Sequence, residues 1–180
     1  MGLTYENLDD RVRSHMLKEL ALDVAEDRLY LSPRLSERGR QIYESLLRDA
    51  VKHHTDDWLA EQLQMQGCLS RHESRVSKRG VAGYARIPRD AAQTLAEGEF
   101  NRLYARGVCL VVLEDGGQTV EVYRGKAVSR ARAASARLVG QLVPAQRLLE
   151  DLRMSQGLEP ALGIPPGPNS GLTVRRPISS

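Results

Sequence analysis

This chain predicts a mainly α fold, an α+β arrangement with one or two short strands and an extended C-terminal arm. Three observations carry the prediction. Aromatic residues are only 4% of the 180, while apolar residues are 41%. The core must therefore come mostly from Leu, Val and Ala, which suits helix packing. Apolar residues recur at helical spacing through the first third of the chain. Beyond residue 157, prolines at 160, 165, 166, 168 and 177 interrupt regular structure and favour an extended backbone.

The elements follow in order. Leu8, Val12, Met16, Leu20 and Val24 form one stripe, predicting a helix over 6–26 with Asp9 and Asp10 in its first turn, where the helix dipole favours negative charge. Ile42, Leu46, Leu47, Ala50 and Val51 predict a second helix over 36–53. Thr55 caps a third, short one that carries Trp58, Leu59 and Leu63. From Cys68 to Arg89 no period survives and Gly80 and Gly83 intervene, so 67–89 reads as an exposed loop. Pro88 then opens the longest helix, 89–114, with Ala92, Ala96, Phe100, Leu103 and Val111 inward. An alternative divides that stretch into a hairpin of 108–113 and 119–123. The helical stripe runs on through Gly107 and favours the helix, and 119–123 alternates as one strand under either reading. Pro144 opens a last helix, 145–154, burying Leu148, Leu149 and Leu152. The expected organisation is a three-helix front (1–66), a loop (67–89), a long helix, strand and short helix in the same domain (90–156), and an arm (157–180).

Charge divides the chain differently. Residues 1–66 hold nine Lys and Arg against thirteen Asp and Glu; residues 67–180 hold seventeen against ten. Such asymmetry suits an anionic or acidic partner. Two basic segments carry it: Arg71, Arg75, Lys78 and Arg79, with Arg86 and Arg89 following, and Arg124, Lys126, Arg130, Arg132 and Arg137. Arginines on phosphate give affinity by releasing counterions. Aromatics able to stack on bases are scarce nearby, with Tyr84 and Tyr123 the candidates. The same arginines would also meet acidic faces of other protein subunits.

Motifs for chemistry are sparse. Cys68 and His72 form a single C-x3-H pair with no second pair to complete a zinc site, and both cysteines read as reduced thiols. No cofactor is expected. Glu97, Glu99, Asn101 and Arg102 form a polar cluster on the long helix, best read as structural, with Glu99 and Arg102 three apart and able to pair. Gly98 in mid-helix suggests a close helix crossing there. Nucleophile-elbow, Walker and dinucleotide-binding glycine patterns are absent. No apolar run exceeds the six residues of 108–113, so no membrane span is expected, and a cytoplasmic or virion location follows.

The run Ala-Glu-Gly-Glu-Phe-Asn-Arg-Leu-Tyr-Ala-Arg at 96–106 and the run Leu-Gly-Ile-Pro-Pro-Gly-Pro-Asn-Ser-Gly-Leu at 162–172 resemble those of an uncharacterised family from bacterial and phage-type genomes. Tyr-Glu-Asn-Leu-Asp-Asp at 5–10 and Leu-Ser-Pro-Arg-Leu at 31–35 are similar too. The resemblance implies a particle component or an accessory gene product and assigns no catalytic residue. The leading expectation is therefore a non-enzymatic assembly protein, a virion component. Its arm would dock on neighbouring subunits through Leu162, Ile164, Leu172 and Val174, clamped by Arg175 and Arg176. The alternative is a nucleic-acid-binding accessory or regulatory protein using the Arg-rich segments. An enzyme acting on nucleic acid through Glu97 and Glu99 comes third.

Overall fold

The computed structural model describes residues 2–76, 80, 82–127, 133–155 and 170–177. Its elements are α1 (Asp10–Ala25), α2 (Glu37–His53), α3 (Asp56–Met65), β1 (His72–Val76), β2 (Ala82–Arg86), α4 (Ala91–Glu114), β3 (Thr119–Arg124), α5 (Ala133–Leu138), β4 (Leu142–Pro144), α6 (Ala145–Met154) and β5 (Leu172–Arg175). The class is mainly α, with a few short antiparallel strands. No helix among the described residues is long and apolar enough to cross a membrane.

Helix α4 is the axis. It forms over the predicted stretch and is buried along most of its length, from Ala91 to Val112, because α1, α3 and α6 pack around it and the sheet covers it too. A helix surrounded on this scale reads apolar on more than one face, which is why its stripe looked continuous through Gly107. The close crossing lies at that residue. A Cβ on Gly107 would sit 2.9 Å from the Val12 carbonyl oxygen of α1. The crossing expected at Gly98 is absent: no described atom lies within 4 Å of a Cβ placed there.

The first helix starts later than predicted. Asp9 caps α1 by accepting from the Val12 amide at 3.0 Å, and residues 2–8 stay outside the helix. Tyr5, in the segment before the helix, tucks between Phe100 and Tyr104, ring centroids 5.1 and 4.7 Å away. Aromatic rings thus contribute more to the core than their number suggests. Ser36 caps α2, its hydroxyl accepting from the Gly39 amide.

The loop expected over 67–89 is instead a two-stranded antiparallel ribbon, with His72 opposite Arg86, Ser74 opposite Tyr84 and Val76 opposite Ala82. Strand alternation was invisible because the side toward the body is set by Glu73, Gly83 and Ala85, with no large apolar residue to mark a period. The arm is corrected in the same way. Residues 172–175 pair with β3 as the edge of a β4-β3-β5 sheet, Val174 opposite Val122 and Leu172 opposite Arg124. A proline-free window between Pro168 and Pro177 is long enough for a four-residue strand. Leu172, Thr173 and Val174 are fully buried there, in a core that also contains Val12, Leu59, Phe100 and Leu148.

Candidate nucleic-acid interface

The ribbon of β1 and β2 is joined to the body at its root. Arg34 donates to Glu73, Nε to Oε2 at 2.6 Å, and Leu35 bridges to Leu69. Strand alternation puts Glu73, opposite Ala85, on the side toward the body, where both are half-buried. His72, Ser74, Tyr84 and Arg86 therefore share the other face, and all four are exposed. Tyr84 is 86% exposed, an unusual state for a large aromatic, and has no partner among the described residues.

At the ribbon's base a cleft of about 480 Å³ opens beside the ends of its two strands, lined by Arg71, His72, Arg86, Ile87, Pro88 and Arg89 together with Leu69 and Ser70. Arg71, Arg86 and Arg89 are exposed, and no carboxylate among the described residues pairs with any of them. Glu73, the one acid between 68 and 89, is already bonded to Arg34. Three like charges around one cleft repel one another, and an anion placed among them relieves that repulsion.

The other expected site residues are distributed differently. Arg75 lies on β1, while Lys78 and Arg79 fall outside the described residues. In the second basic segment, Arg124 donates to the Ser170 carbonyl at 2.8 Å and Lys126 is ion-paired with Glu97. Neither belongs to an outward patch. Arg130 and Arg132 lie outside the described residues, and Arg137 stands exposed on α5. Among the arm residues, Leu162 and Ile164 are outside the described residues. Leu172 and Val174 are part of the chain's own core rather than contacts for a neighbour. Arg175 bonds Glu6 and Glu121, its guanidinium 5.4 Å from the Tyr123 ring centre, and Arg176 bonds Asp9. These clamps close on the chain's own N-terminal segment.

The polar cluster on α4 divides over two sides of the helix. Glu99 accepts from Arg102 at 2.6 Å, the pair the spacing predicted. Burial still pushes the Glu99 carboxyl up, against the pull of Arg102. Asn101 ties down β5, donating to the Leu172 carbonyl and accepting from the Thr173 hydroxyl at 2.6 Å. Glu97 faces another way, toward Lys126 and Gln93. Two residues apart on a helix is about 200°, so Glu97 and Glu99 cannot converge on one reacting group. Near Glu97, Asp56 is fully buried and accepts from the Leu3 amide at 3.1 Å. Burial first, then the neighbouring Asp57 and Glu97 charges, push its carboxyl up to about 6.

Residues outside the expected set complete a buried network. Arg106 of α4 bonds Glu19 (2.7 Å) and, through both terminal nitrogens, Asp23 (2.6 and 3.0 Å), and Arg153 reaches Glu19 from α6. The signal was present in the sequence: Glu19 and Asp23 are four apart on α1, and so are Arg102 and Arg106 on α4, a ladder between two crossing helices. Cys68 is buried, whereas His72 stands on the exposed ribbon face, and no group of three or more metal-ligating side chains forms among the described residues. Burial raises the Cys109 thiol to about 12, so it stays protonated.

Comparison with known proteins finds no matching family model, no similar curated protein and no similar solved structure.

Proposed function

We propose that this chain is a nucleic-acid-binding protein whose contact surface is the ribbon of β1 and β2 with the cleft at its base. The observation that carries the reading is the set of three exposed, unpaired arginines, Arg71, Arg86 and Arg89, gathered at the root of an exposed polar ribbon. Phosphate backbones satisfy such a set through counterion release without any further pocket. A protein partner is the weaker fit. Protein interfaces need a desolvated apolar centre, and Tyr84 is the one large apolar side chain exposed on the described part of the ribbon. The assembly reading loses support for a separate reason. Two of its four apolar docking residues are buried in the chain's own sheet, and both of its charged clamps have intramolecular partners.

The test is binding of the full chain to labelled DNA and RNA at low salt, followed by fluorescence anisotropy. The variant Arg71→Ala/Arg86→Ala/Arg89→Ala is expected to lose at least tenfold in affinity with an unchanged helical spectrum. Absence of binding to any nucleic acid at low salt, or full affinity in the triple variant, would overturn the proposal.

A further inference from the structure

We infer that the ligand is B-form duplex DNA, with the ribbon entering the major groove and Arg71 and Arg89 resting on the phosphates at its rim. The inference rests on the nucleic-acid reading and adds the form of the ligand and the mode of entry. Dimensions come first. Strands of five residues at about 3.3 Å each give a ribbon about 16 Å long, and two strands set about 4.8 Å apart fit, with side chains, into a groove about 12 Å wide.

Strand β2 carries little bulk. Ala82, Gly83 and Ala85 make up most of β2, and Ser74 sits across from Tyr84. Small residues let the backbone itself descend toward the base edges. Groups that read or touch bases are carried on the outward face alone. Arg86 has the forked donors that match guanine, Ser74 donates or accepts, and the Tyr84 ring supplies apolar contact. Arg71 and Arg89 lie just outside the two strands, at the base cleft, where a groove's flanking phosphates would meet them.

The competing nucleic-acid forms fit less well. A-form RNA has a deep, narrow major groove that excludes a ribbon. A single strand is held by a row of aromatic platforms, and this surface has Tyr84 alone.

The experiment uses the full chain with three probes of one sixteen-nucleotide sequence: duplex DNA, duplex RNA and single-stranded DNA, at one salt concentration. Duplex DNA is expected to bind at least tenfold more tightly than either rival. Dimethyl sulfate should report lowered reactivity at guanine N7, in the major groove, with adenine N3, in the minor groove, unchanged. Tyr84→Ala, a change at an exposed position, should weaken duplex binding several-fold while leaving the helical spectrum intact. Equal or tighter binding to the single strand or the RNA overturns the inference but leaves the nucleic-acid reading standing, and so does protection at adenine N3. Binding to none of the three overturns both.

Discussion

Removing the guanidinium of Arg106 tests whether the charged network between α1 and α4 is structural. Arg106 is fully buried, and Arg106→Met replaces it with an apolar chain of similar reach. The two carboxylates it serves do not suffer equally. Glu19 keeps Arg153 at 2.6 Å, from a side chain that also reaches solvent. Asp23 keeps only Arg102, at 3.8 Å, with its own side chain 1% exposed. The loss therefore falls mainly on Asp23, a buried charge left without a close partner, and such losses cost about 3–5 kcal/mol. With a urea slope of about 2 kcal/mol per molar, the midpoint should fall by roughly 1.5–2.5 M. Urea unfolding followed by circular dichroism measures it. Adding Asp23→Leu to Arg106→Met should recover about 2 kcal/mol or more, because no orphaned charge then remains. A single-variant cost below about 1 kcal/mol, or a double variant worse than the single, would refute the reasoning.

Three more outcomes are expected. Gly98→Ala should raise stability by about 1 kcal/mol, since open space surrounds that helical position, while Gly107→Ala should lower it by about 1–3 kcal/mol through the clash with Val12; equal effects in thermal melts would contradict the crossing geometry. Leu172→Ala should cost about 2–5 kcal/mol in the isolated chain, because the residue is core; unchanged unfolding would return it to a docking role. Asp56 has a raised folded-state pKa of about 6 against roughly 3.9 unfolded, so the folded form binds the proton more tightly and Asp56 adds stability as pH falls from about 7 toward 4. Asp56→Asn keeps an acceptor for the Leu3 amide without the charge. It should be more stable than the parent at pH 7, by up to about 3 kcal/mol, with the difference vanishing near pH 4. A difference independent of pH in paired urea melts would sink that assignment.

Helices α1 and α6 were legible because each buries one continuous apolar stripe: Val12, Met16 and Leu20 on α1, Leu148, Leu149 and Leu152 on α6, whereas α5, in a basic segment, was not. Periodicity reports large apolar residues at regular spacing, so it fell silent where the buried side is small or charged. The ribbon's body-facing side is set by Glu73, Gly83 and Ala85, which give no hydropathy signal. Strand β5 hid in a proline-rich context, and only pairing with β3 and the Asn101 bridge make Leu172 and Val174 interior. The Arg106–Asp23 pair joins residues more than 80 apart in the chain, so only the i, i+4 spacing on each helix points to it. Basic residues of the site were legible as composition. Which of them stand unpaired was not, since Lys126 and Arg124 differ from Arg71 and Arg86 only in what the fold brings beside them.

Salt dependence of duplex DNA binding tests the central claim most directly. A plot of log affinity against log salt falls by about 0.9 for every phosphate neutralised. If Arg71 and Arg89 each meet one while Arg86 lies against a base, the Arg71→Ala/Arg89→Ala variant should have a slope shallower than the parent's by about 1.8. Parallel lines for parent and variant would mean that the ribbon and its cleft do not touch the backbone.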